Sequence, residues 1–352
     1  SDYSYRGILD NLCKRERANC PAYGLSAAAR TGSERRRARR SPAPAAAKKG
    51  GGPRLAVNAS LKLPSQKLKV SSLAAMRGLS LTRRPKRSPY EVELLGRGGR
   101  TLASYPIEPK LQSDLPAGRE VALIDEVVRF DRGTKRVAIT KGSKALASRP
   151  VSASAPQVRV TSPRNGKRKL GKSVRVRWRG SDADRDRLTY TLLYSNDGDD
   201  YIPVAAHLRK RSYKVDLRSL PGGRKARFRV VANDGVLTGA ARSKGKLRVP
   251  AKPPRVSILS PEPGASVVEK SQVQLAASVE DLQDANVKRR NIVWRSSEQG
   301  TLGRGATITT TLKPGSHEIS VRAKNSAGRS AGAKVDVEVA AVPPSVDAIL
   351  IP

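Results

Sequence analysis

An all-β chain of tandem β-sandwiches is predicted by two features of this sequence. Short runs rich in valine, leucine, isoleucine and tyrosine recur along residues 54–341, and within them apolar and polar positions alternate. Turn dipeptides such as Asn165-Gly166, Asp197-Gly198 and Gly222-Gly223 separate the runs. Alternation is typical of strands that bury one face, and short strands at regular spacing with turn signals between them favour sandwiches.

The 352 residues divide into segments of contrasting composition. Near the start, Ile8, Leu9 and Leu12 have helical spacing, and the following stretch is rich in Arg, Ala, Pro and Gly and can bury no core. We therefore predict a short helical N-terminal segment (1–30), a basic flexible linker (31–53), three β-sandwiches (54–155, 156–250 and 251–341) and an apolar C-terminal tail (342–352).

The first sandwich is predicted to contain a β-hairpin around Gly98-Gly99. Residues 90–95 alternate between apolar and polar side chains before the two glycines, and residues 101–105 resume the pattern after them. Two alternating runs joined by a short connection that contains glycine are the sequence signature of a hairpin.

The net charge carries the main functional information. The chain has 69 Lys and Arg against 30 Asp and Glu, a formal net charge of +39 at pH 7 and a pI near 11.1. A folded protein repels itself at this charge density, so we expect a polyanion as partner: nucleic acid, an acidic polysaccharide or a strongly acidic protein surface. The alternative is a solvated basic surface that serves solubility alone.

Two aspects of composition bear on this choice. Basic runs recur in the linker and in all three predicted sandwiches and are not balanced by glutamate in ion-pair networks, which favours polyanion contact over solubility. Aromatic residues make up only 4% of the chain, too few for a surface on which bases stack. Nucleic acid would therefore be held through its backbone, without base specificity.

Basic residues cluster in loops, in the linker and at alternate strand positions. Residues 174–179 alternate valine or tryptophan with arginine, so the apolar set should face the core and the arginines should face outward together. Alternate strand residues are ~6.6 Å apart, a spacing comparable with that of successive phosphates. The predicted polyanion-binding residues are Arg35, Arg36, Arg37, Arg39, Arg40, Arg83, Arg84, Lys86, Arg87, Arg164, Lys167, Arg168, Lys169, Lys172, Arg175, Arg177, Arg179, Arg209, Lys210, Arg211, Lys225, Arg227, Arg229, Lys288, Arg289 and Arg290.

An aspartate cluster offers the one pattern that suits a metal ion. Asp182, Asp184 and Asp186 stand at alternate positions, as carboxylates do in some Ca²⁺-binding loops. However, Arg185 lies within the cluster and Arg187 beside it, and neighbouring cations disfavour a divalent ion. We predict salt bridges between these aspartates and the flanking arginines, and no metal site; calcium is the alternative.

Other chemistry is weakly represented. Cys13 and Cys20 are candidates for a disulfide in an oxidising compartment, with free thiols as the alternative. The two histidines, His207 and His317, cannot form a zinc protease motif, and no nucleophile elbow or phosphate loop occurs, so neither a catalytic residue nor a cofactor is predicted.

No apolar run approaches the ~20 residues of a membrane helix. The opening residues lack an initiator Met and an apolar secretory core, which predicts a processed product or a fragment.

Several motifs resemble the C-terminal regions of secreted bacterial zinc metalloproteases. Ser1–Leu9 is similar to the segment, ending in SDYTYRGLL, that closes the catalytic domain of these enzymes. Ser181–Tyr190 resembles the fibronectin type III-like pattern SDxDGDxLTY, and Leu193–Gly198 matches its YSxDGG strand and turn. Pro314–Ile319 and Asn325–Gly328 look like the end of an Ig-like or PKD-like domain.

The resemblance implies a secreted, extracellular chain with a fibronectin type III-like second sandwich and an Ig-like or PKD-like third one. The proteolytic activity of the family does not carry over, because its H-E-x-x-H zinc motif has no counterpart here. This chain also departs from the family pattern by placing Arg185 inside the aspartate cluster, a change towards anion binding.

We therefore predict a non-catalytic extracellular structural or binding protein that holds a polyanion, with nucleic acid favoured over the other candidates. Several modules on one chain would add avidity. The apolar residues Ile349-Leu350-Ile351 in the tail favour a homo-oligomer in which this segment is donated as a strand to a neighbouring copy; an end that takes no part in association is the alternative. The alternative function is an accessory C-terminal region that directs a separate metalloprotease domain to an acidic surface.

Overall fold

The structure, a computed structural model, describes residues 52–63, 65–112, 120–164 and 170–342. The predicted helical segment, nearly all of the basic linker and of the C-terminal tail, and the disulfide candidates Cys13 and Cys20 lie outside the described residues. Regular structure in the described ranges consists of strands β1–β24 and of short 3-10 turns at Arg97–Gly99, Leu217–Ser219 and Arg289–Asn291.

The first sandwich is formed by β1 (Arg54–Lys62), β2 (Lys67–Met76), β3 (Tyr90–Leu95), β4 (Thr101–Ile107), β5 (Lys110–Leu111), β6 (Val121–Arg129), β7 (Arg136–Lys141) and β8 (Lys144–Pro150). Its sheets have the orders β2-β1-β6-β5 and β4-β3-β7-β8. Residues such as Leu55, Val92 and Ile139 are buried between them. The predicted hairpin is confirmed: β3 and β4 pair antiparallel, and Gly98 and Gly99 between them have φ angles of 65° and 79°, which glycine adopts without strain.

The second sandwich is formed by β9 (Gln157–Ser162), β10 (Ser173–Ser181), β11 (Thr189–Ser195), β12 (Ile202–Leu208), β13 (Ser212–Asp216), β14 (Gly223–Asn233), β15 (Thr238–Arg242) and β16 (Leu247–Val249). A three-stranded sheet, β13-β10-β9, faces a five-stranded one, β12-β11-β14-β15 with β16 also on β14. Between them Trp178 packs edge-on against Tyr190, with ring centres 5.6 Å apart, and Tyr194 lies 5.4 Å from Phe228. Such aromatic pairs stabilise the core beyond their buried area.

The third sandwich is formed by β17 (Arg255–Ser260), β18 (Ala265–Val268), β19 (Val273–Glu280), β20 (Ile292–Ser296), β21 (Gly300–Arg304), β22 (Thr307–Thr310), β23 (Gly315–Lys324) and β24 (Ser330–Ala340). The sheets are β17-β19-β22 and β18-β24-β23-β20-β21, and β18 runs parallel to β24. Trp294 is fully buried at the centre, and its Nε1 donates a 3.0 Å hydrogen bond to the Gly305 carbonyl. This bond satisfies the polar end of an otherwise apolar core residue.

The predicted all-β chain of tandem sandwiches is confirmed. In the second and third sandwiches the opening strand pairs with the next long strand, a later strand adds on the far side, and the remaining strands form the second sheet. This is the arrangement of fibronectin type III-like and Ig-like sandwiches. None of the helical turns in the described ranges has the length and apolar character required to cross a lipid bilayer.

The turn between β14 and β15 joins the second sandwich to the first. Val236 in this turn is 1% exposed and belongs to the apolar core of the first sandwich. The amide of Ala75 donates a 2.7 Å hydrogen bond to the Val236 carbonyl, and the Ala75 carbonyl accepts one of 2.7 Å from Thr238 Oγ1. Asn233 Nδ2 donates to the Leu73 carbonyl at 2.8 Å. Strand β2 therefore lies against the end of the five-stranded sheet of the second sandwich.

The second and third sandwiches meet around the linker residue Lys252. Its Nζ donates a 2.5 Å hydrogen bond to the Leu220 carbonyl of the second sandwich. Its carbonyl accepts hydrogen bonds from Gln283 Nε2 at 2.7 Å and from Asn325 Nδ2 at 2.8 Å, both in the third. Gln283 Oε1 in turn accepts from the Gly222 amide at 2.8 Å. Polar contacts on both sides thus hold the linker between the two sandwiches.

Candidate polyanion-binding face

The three-stranded sheet of the second sandwich presents a row of arginines to solvent. In β10, Val176 and Trp178 are 0% and 2% exposed, whereas Arg175, Arg177 and Arg179 are exposed. Successive residues of a strand point to opposite sides of the sheet, so the three arginines share one side. The predicted outward alternation is confirmed, and the arginines lie above the buried tryptophan.

Both neighbouring strands add cations to the same side of this sheet. Arg175 lies directly opposite Lys214 of β13, and Arg179 lies directly opposite Arg159 of β9. Opposite residues on antiparallel strands have their side chains on the same side, with Cβ atoms ~5 Å apart. The five exposed residues Arg159, Arg175, Arg177, Arg179 and Lys214 are termed the basic face.

A shallow depression adjoins the basic face. It has a volume of about 440 Å³ and is lined by Arg164, Arg177 and Arg179 together with Thr161 and Ser162. A 3.0 Å hydrogen bond from Arg164 Nε to the Thr161 carbonyl orients the Arg164 side chain. Three guanidiniums and two hydroxyl groups therefore border one hollow that is open to solvent, and all of them can donate hydrogen bonds to an anion.

No salt bridge within the described ranges involves the basic face. The pairs that do form are Arg218 with Asp216 and Lys334 with Glu318, each at 2.8 Å. The hydrogen bond from Arg218 lowers the pKa of Asp216, the last residue of β13, to about 2. Like charges directly opposite each other on a sheet are destabilising. The basic face is therefore a surface that a bound anion would stabilise.

Two residues of the basic face, Arg159 and Lys214, are absent from the residues predicted from the sequence. Each stands between apolar residues in a short alternating run, as the arginines of β10 do, so a local signal exists. Each is also a single cation within its strand, and single cations are ordinary on a solvated face. Their significance follows only from the pairing of β9 and β13 with β10.

Some predicted residues border the basic face. Arg209, Lys210 and Arg211 join β12 to β13 and are exposed, and Lys172 is exposed just before β10. The amide of Trp178 donates a 3.0 Å hydrogen bond to the Arg211 carbonyl, which places this cluster next to β10. These residues extend positive charge beyond the strands of the sheet.

Other predicted clusters lie in different sandwiches. Arg83, Arg84, Lys86 and Arg87 lie between β2 and β3 in the first, and Lys288, Arg289 and Arg290 lie just before β20 in the third. Arg84 is 4.7 Å from the ring centre of Tyr105, which orients its guanidinium over an aromatic face. The predicted residues 35–40 and 167–169 lie outside the described residues.

The predicted stripe on β14 belongs to the opposite sheet of the second sandwich. Lys225 is exposed, but Arg227 and Arg229 are half-buried. The Arg229 guanidinium lies 5.8 Å from the ring centre of Tyr201. Burial lowers the pKa of Arg229, and the nearby charge of Arg242 adds to this effect. These residues therefore do not share a surface with the basic face.

The predicted salt bridges of the aspartate cluster are wrong. In the described part of the chain no ion pair joins Asp182, Asp184 or Asp186 to an arginine. Asp182 Oδ1 instead accepts a 2.9 Å hydrogen bond from the Asp184 amide, and Asp186 Oδ2 accepts one of 2.5 Å from Ser152 Oγ. The chain turns here so that amides and a hydroxyl, rather than guanidiniums, donate hydrogen bonds to oxygens of these carboxylates. Oxygens of Asp182, Asp186 and Asp234 lie within 4.8 Å of one another.

This group of three carboxylates is the one arrangement among the described residues whose donor set suits a divalent cation. Oδ2 of Asp182 and Oδ2 of Asp234 are shielded from solvent and have no hydrogen-bond partner among the described residues. Burial, and then the negative charges of Asp182 and Asp186, raise the pKa of Asp234. The three groups therefore repel one another at neutral pH.

A buried serine–histidine pair in the third sandwich resembles part of a catalytic arrangement. His317 Nε2 donates to the Lys313 carbonyl at 2.8 Å, and Nδ1 shares a 2.8 Å hydrogen bond with Ser296 Oγ. Ser296 Oγ also accepts hydrogen bonds from the amides of Glu298 and Gln299. His317 is 1% exposed, and the Ser296 hydroxyl is engaged by the histidine ring and by two backbone amides. The pair therefore stabilises the fold.

No family model and no curated protein matches this chain. Among solved structures it is similar to fibronectin(III)-like modules of CbhA from Clostridium thermocellum, with 16% identity over 54% of this chain and 97% of that chain and a TM-score of 0.24. It is also similar to mouse cadherin-23 (14% identity, 78% and 92% covered, TM-score 0.24) and to tandem Ig domains of titin (14% identity, 55% and 100% covered, TM-score 0.26). Because these identities and TM-scores are low, function is inferred from the residues of this chain alone.

Proposed function

We propose that this chain is a non-catalytic extracellular structural and binding protein that holds nucleic acid through its phosphate backbone. The observation that carries the proposal is the basic face: five cations on three adjacent strands, paired with no carboxylate in the described ranges. Such a surface is destabilised by its own repulsion, and a bound polyanion relieves that repulsion.

The chemistry of the basic face suits phosphate. A guanidinium can donate two parallel N–H groups to phosphate oxygens, a geometry that the lysine ammonium does not offer. Arg175, Arg177 and Arg179 repeat at every second residue of β10, so they lie ~6.6 Å apart along the strand. This spacing is comparable with that of successive phosphates along an extended strand, so each arginine can meet a different phosphate.

Base readout is not expected at this surface. Trp178 is 2% exposed and faces the core, so it offers no platform for stacking. Contacts to phosphates position a nucleic acid but carry no sequence information directly. We therefore expect equal affinities for oligonucleotides of equal length and different sequence.

The salt dependence of oligonucleotide binding tests the proposal. Fluorescence anisotropy with a labelled duplex should give a log–log slope of about −5 to −9 for six to ten phosphate contacts, because counterions are released on binding. The triple variant Arg175→Gln, Arg177→Gln, Arg179→Gln should reduce the steepness of this slope by about one for each phosphate that it no longer binds. A slope near zero for the unmodified chain would remove the electrostatic basis of the proposal.

A matched control distinguishes binding at the basic face from attraction by the net charge of the chain. Arg295, Arg322 and Arg329 are exposed in the third sandwich, and their replacement by Gln removes the same charge at a distance from β10. We expect this control to retain the slope of the unmodified chain. An equal effect of the two triple variants would assign binding to net charge and not to the basic face.

The identity of the polyanion has its own test. The chain contains two Trp, so it absorbs weakly at 280 nm and bound nucleic acid would dominate the spectrum. Material purified at low salt should show excess absorbance at 260 nm that nuclease removes. Absorbance at 260 nm that is low before nuclease treatment would favour the acidic polysaccharide or the acidic protein as partner.

The second candidate function is an accessory region that directs a metalloprotease domain to an acidic surface. It depends on the resemblance of Ser1–Leu9, which lies outside the described residues. An H-E-x-x-H motif encoded upstream in the precursor gene, with zinc-dependent cleavage by the precursor, would support it. The isolated chain is expected to show no proteolysis with or without zinc.

The proposed assembly through the C-terminal tail is tested by truncation. A chain that ends at Ala340 lacks the apolar residues 349–351 and should be monomeric by light scattering, whereas the full chain should form larger species. The same size for both chains would place the contact between copies elsewhere.

A further inference from the structure

A cavity of about 690 Å³ separates β2 of the first sandwich from the outer side of the five-stranded sheet of the second. Apolar side chains, including Leu73, Met76 and Val231, form part of its wall. A recess of about 340 Å³ beside β15 shares several lining residues with the cavity. Together they have the size and the mixed lining of sites that hold small organic ligands.

Arg229 and Tyr201 line both the cavity and the recess, and Arg242 lines the recess. Arg229 of β14 is directly opposite Arg242 of β15, so both side chains are on the same side of the sheet. The Arg229 guanidinium lies 5.8 Å from the ring centre of Tyr201. Tyr201 Oη is shielded from solvent and lies beside Arg242, whose guanidinium opposes the rise in the Tyr201 pKa that burial causes. Two guanidiniums and one phenol group therefore face a common space.

No carboxylate among the described residues forms a salt bridge with the two arginines at this place. Arg229 is half-buried, so its charged form is less well solvated than in water, and this burial lowers its pKa. Asp199 also lines the recess, but it is exposed and forms no salt bridge with either arginine in the described ranges. Its amide donates a 2.9 Å hydrogen bond to Asp197 Oδ1, which holds the loop in this position. A partly buried cation without a carboxylate partner is destabilising unless an anion binds.

We propose that this cavity binds a small phosphate monoester, with the phosphate between Arg229, Arg242 and Tyr201 Oη and the organic part against the apolar wall. A phosphate monoester carries a charge of about −1.5 to −2 at pH 7, which matches two guanidiniums, whereas a carboxylate would balance only one. Its oxygens can accept two N–H groups from each arginine and the phenol O–H. This site is on the opposite sheet from the basic face, so it is separate from the proposed binding of nucleic acid.

Calorimetric titration of the full chain with phenyl phosphate tests this site. We expect saturable binding of one phenyl phosphate per chain, weaker binding of inorganic phosphate, which lacks the apolar part, and no binding of phenol, which lacks the phosphate. Arg229→Gln should weaken binding of phenyl phosphate about tenfold or more, since it removes charge-assisted hydrogen bonds. Tyr201→Phe removes only Oη and should weaken binding less while preserving the fold, as checked by near-UV circular dichroism.

Control variants distinguish this site from the surface arginines. Arg295→Gln makes the same charge change on the third sandwich and should leave binding of phenyl phosphate unchanged. The triple variant of the basic face should also bind phenyl phosphate like the unmodified chain, although the salt dependence of its oligonucleotide binding becomes less steep. Asp199→Asn should bind at least as tightly, because it removes a carboxylate from the recess.

Three outcomes would overturn the proposal. The first is an absence of saturable binding of phenyl phosphate to the unmodified chain. The second is equal binding by the unmodified chain, the Arg229→Gln variant and the Tyr201→Phe variant. The third is a stoichiometry well above one that falls with salt, which would assign the phosphate to the solvated surface of the protein.

Discussion

The two sheets of the second sandwich each contain a strand in which basic and apolar residues alternate, and the two strands have different surroundings. On β10 the arginines are exposed, carry no salt bridge in the described ranges and share their side of the sheet with Arg159 and Lys214. On β14 the corresponding side chain of Arg229 is half-buried, lies against the ring of Tyr201 and borders the cavity between this sheet and β2 of the first sandwich. The insertion of Val236 into the first core holds β2 there.

Arginines in the same alternating pattern can therefore interact with anions in two different ways. Exposed arginines keep most of their hydration, so they attract a polyanion over distances limited by salt screening. A guanidinium that is half-buried has lost part of its hydration, so it interacts more strongly with a single ligand held close to it. The basic face therefore suits an extended partner, and the cavity suits a small one.

The largest effect is expected when the core beneath the basic face is removed. Trp178→Ala deletes a side chain that is 2% exposed and packs on Tyr190, so the second sandwich should lose about 3–5 kcal/mol of unfolding free energy in a urea titration. Nucleic-acid binding should fall with it. Trp294→Ala is the matched control, with a comparable loss in the third sandwich and an unchanged salt slope. Loss of the slope in both variants would contradict the assignment of binding to β10.

The next effect concerns the contact that covers β14. Val236→Ala removes apolar contacts from the core of the first sandwich and should cost about 2 kcal/mol of unfolding free energy. The Ala75 amide, which donates to the Val236 carbonyl, should then exchange its hydrogen faster. Val249→Ala, in the core of the second sandwich, should leave exchange at Ala75 unchanged. Unchanged exchange in the Val236 variant would show that other contacts hold β2 in place.

A smaller effect is expected from the carboxylate group near the same turn. Asp234 has a raised pKa, so its contribution to stability is present at low pH and is lost as pH rises through the folded-state pKa. Asp234→Asn keeps Oδ1 as acceptor for the amides of Val236 and Leu237 but removes the repulsion by Asp182 and Asp186. The variant should be more stable at pH 7, within about 1 kcal/mol, and should lack this part of the pH dependence.

Urea titrations of both chains at pH 7 and at a pH below 3.8, the ordinary pKa of Asp, measure this difference. Lower stability of the Asp234→Asn variant at pH 7 would contradict the repulsion between the three carboxylates. If a chelator then lowered the stability of the unmodified chain to that of the variant, a cation between the carboxylates would explain the result.

The smallest effect on stability compares an exposed arginine, Arg177, with a half-buried one, Arg229. Arg177→Gln should change the unfolding free energy by no more than about 0.5 kcal/mol, with a slight gain at low salt because like charges on the basic face no longer repel. This gain should vanish at high salt, where the Debye length is only ~3 Å. The change in unfolding free energy caused by Arg229→Gln should persist at high salt, because salt screens partly buried charges less. The same salt dependence for both variants, in thermal melts, would contradict the difference between the two sheets.

The sequence by itself determined the class of fold, several of the strands and, where apolar and polar residues alternate, the side of the sheet to which their residues point. Turn dipeptides and alternation are local signals, so the β3–β4 hairpin, the buried Trp178 and the outward arginines of β10 follow from short stretches of chain. The excess of positive charge is likewise a property of composition alone.

Only the tertiary structure decided what each side of a sheet meets. The pairing of β9 and β13 with β10, the cover of β2 over β14, and the approach of Asp234 to Asp182 and Asp186 all join residues far apart in the chain. The period of alternation is the same for a solvated face and for one covered by a neighbouring sandwich. It states which way a side chain points, whereas strand pairing and the packing of one sandwich on the next determine whether water, another cation or a cavity lies there.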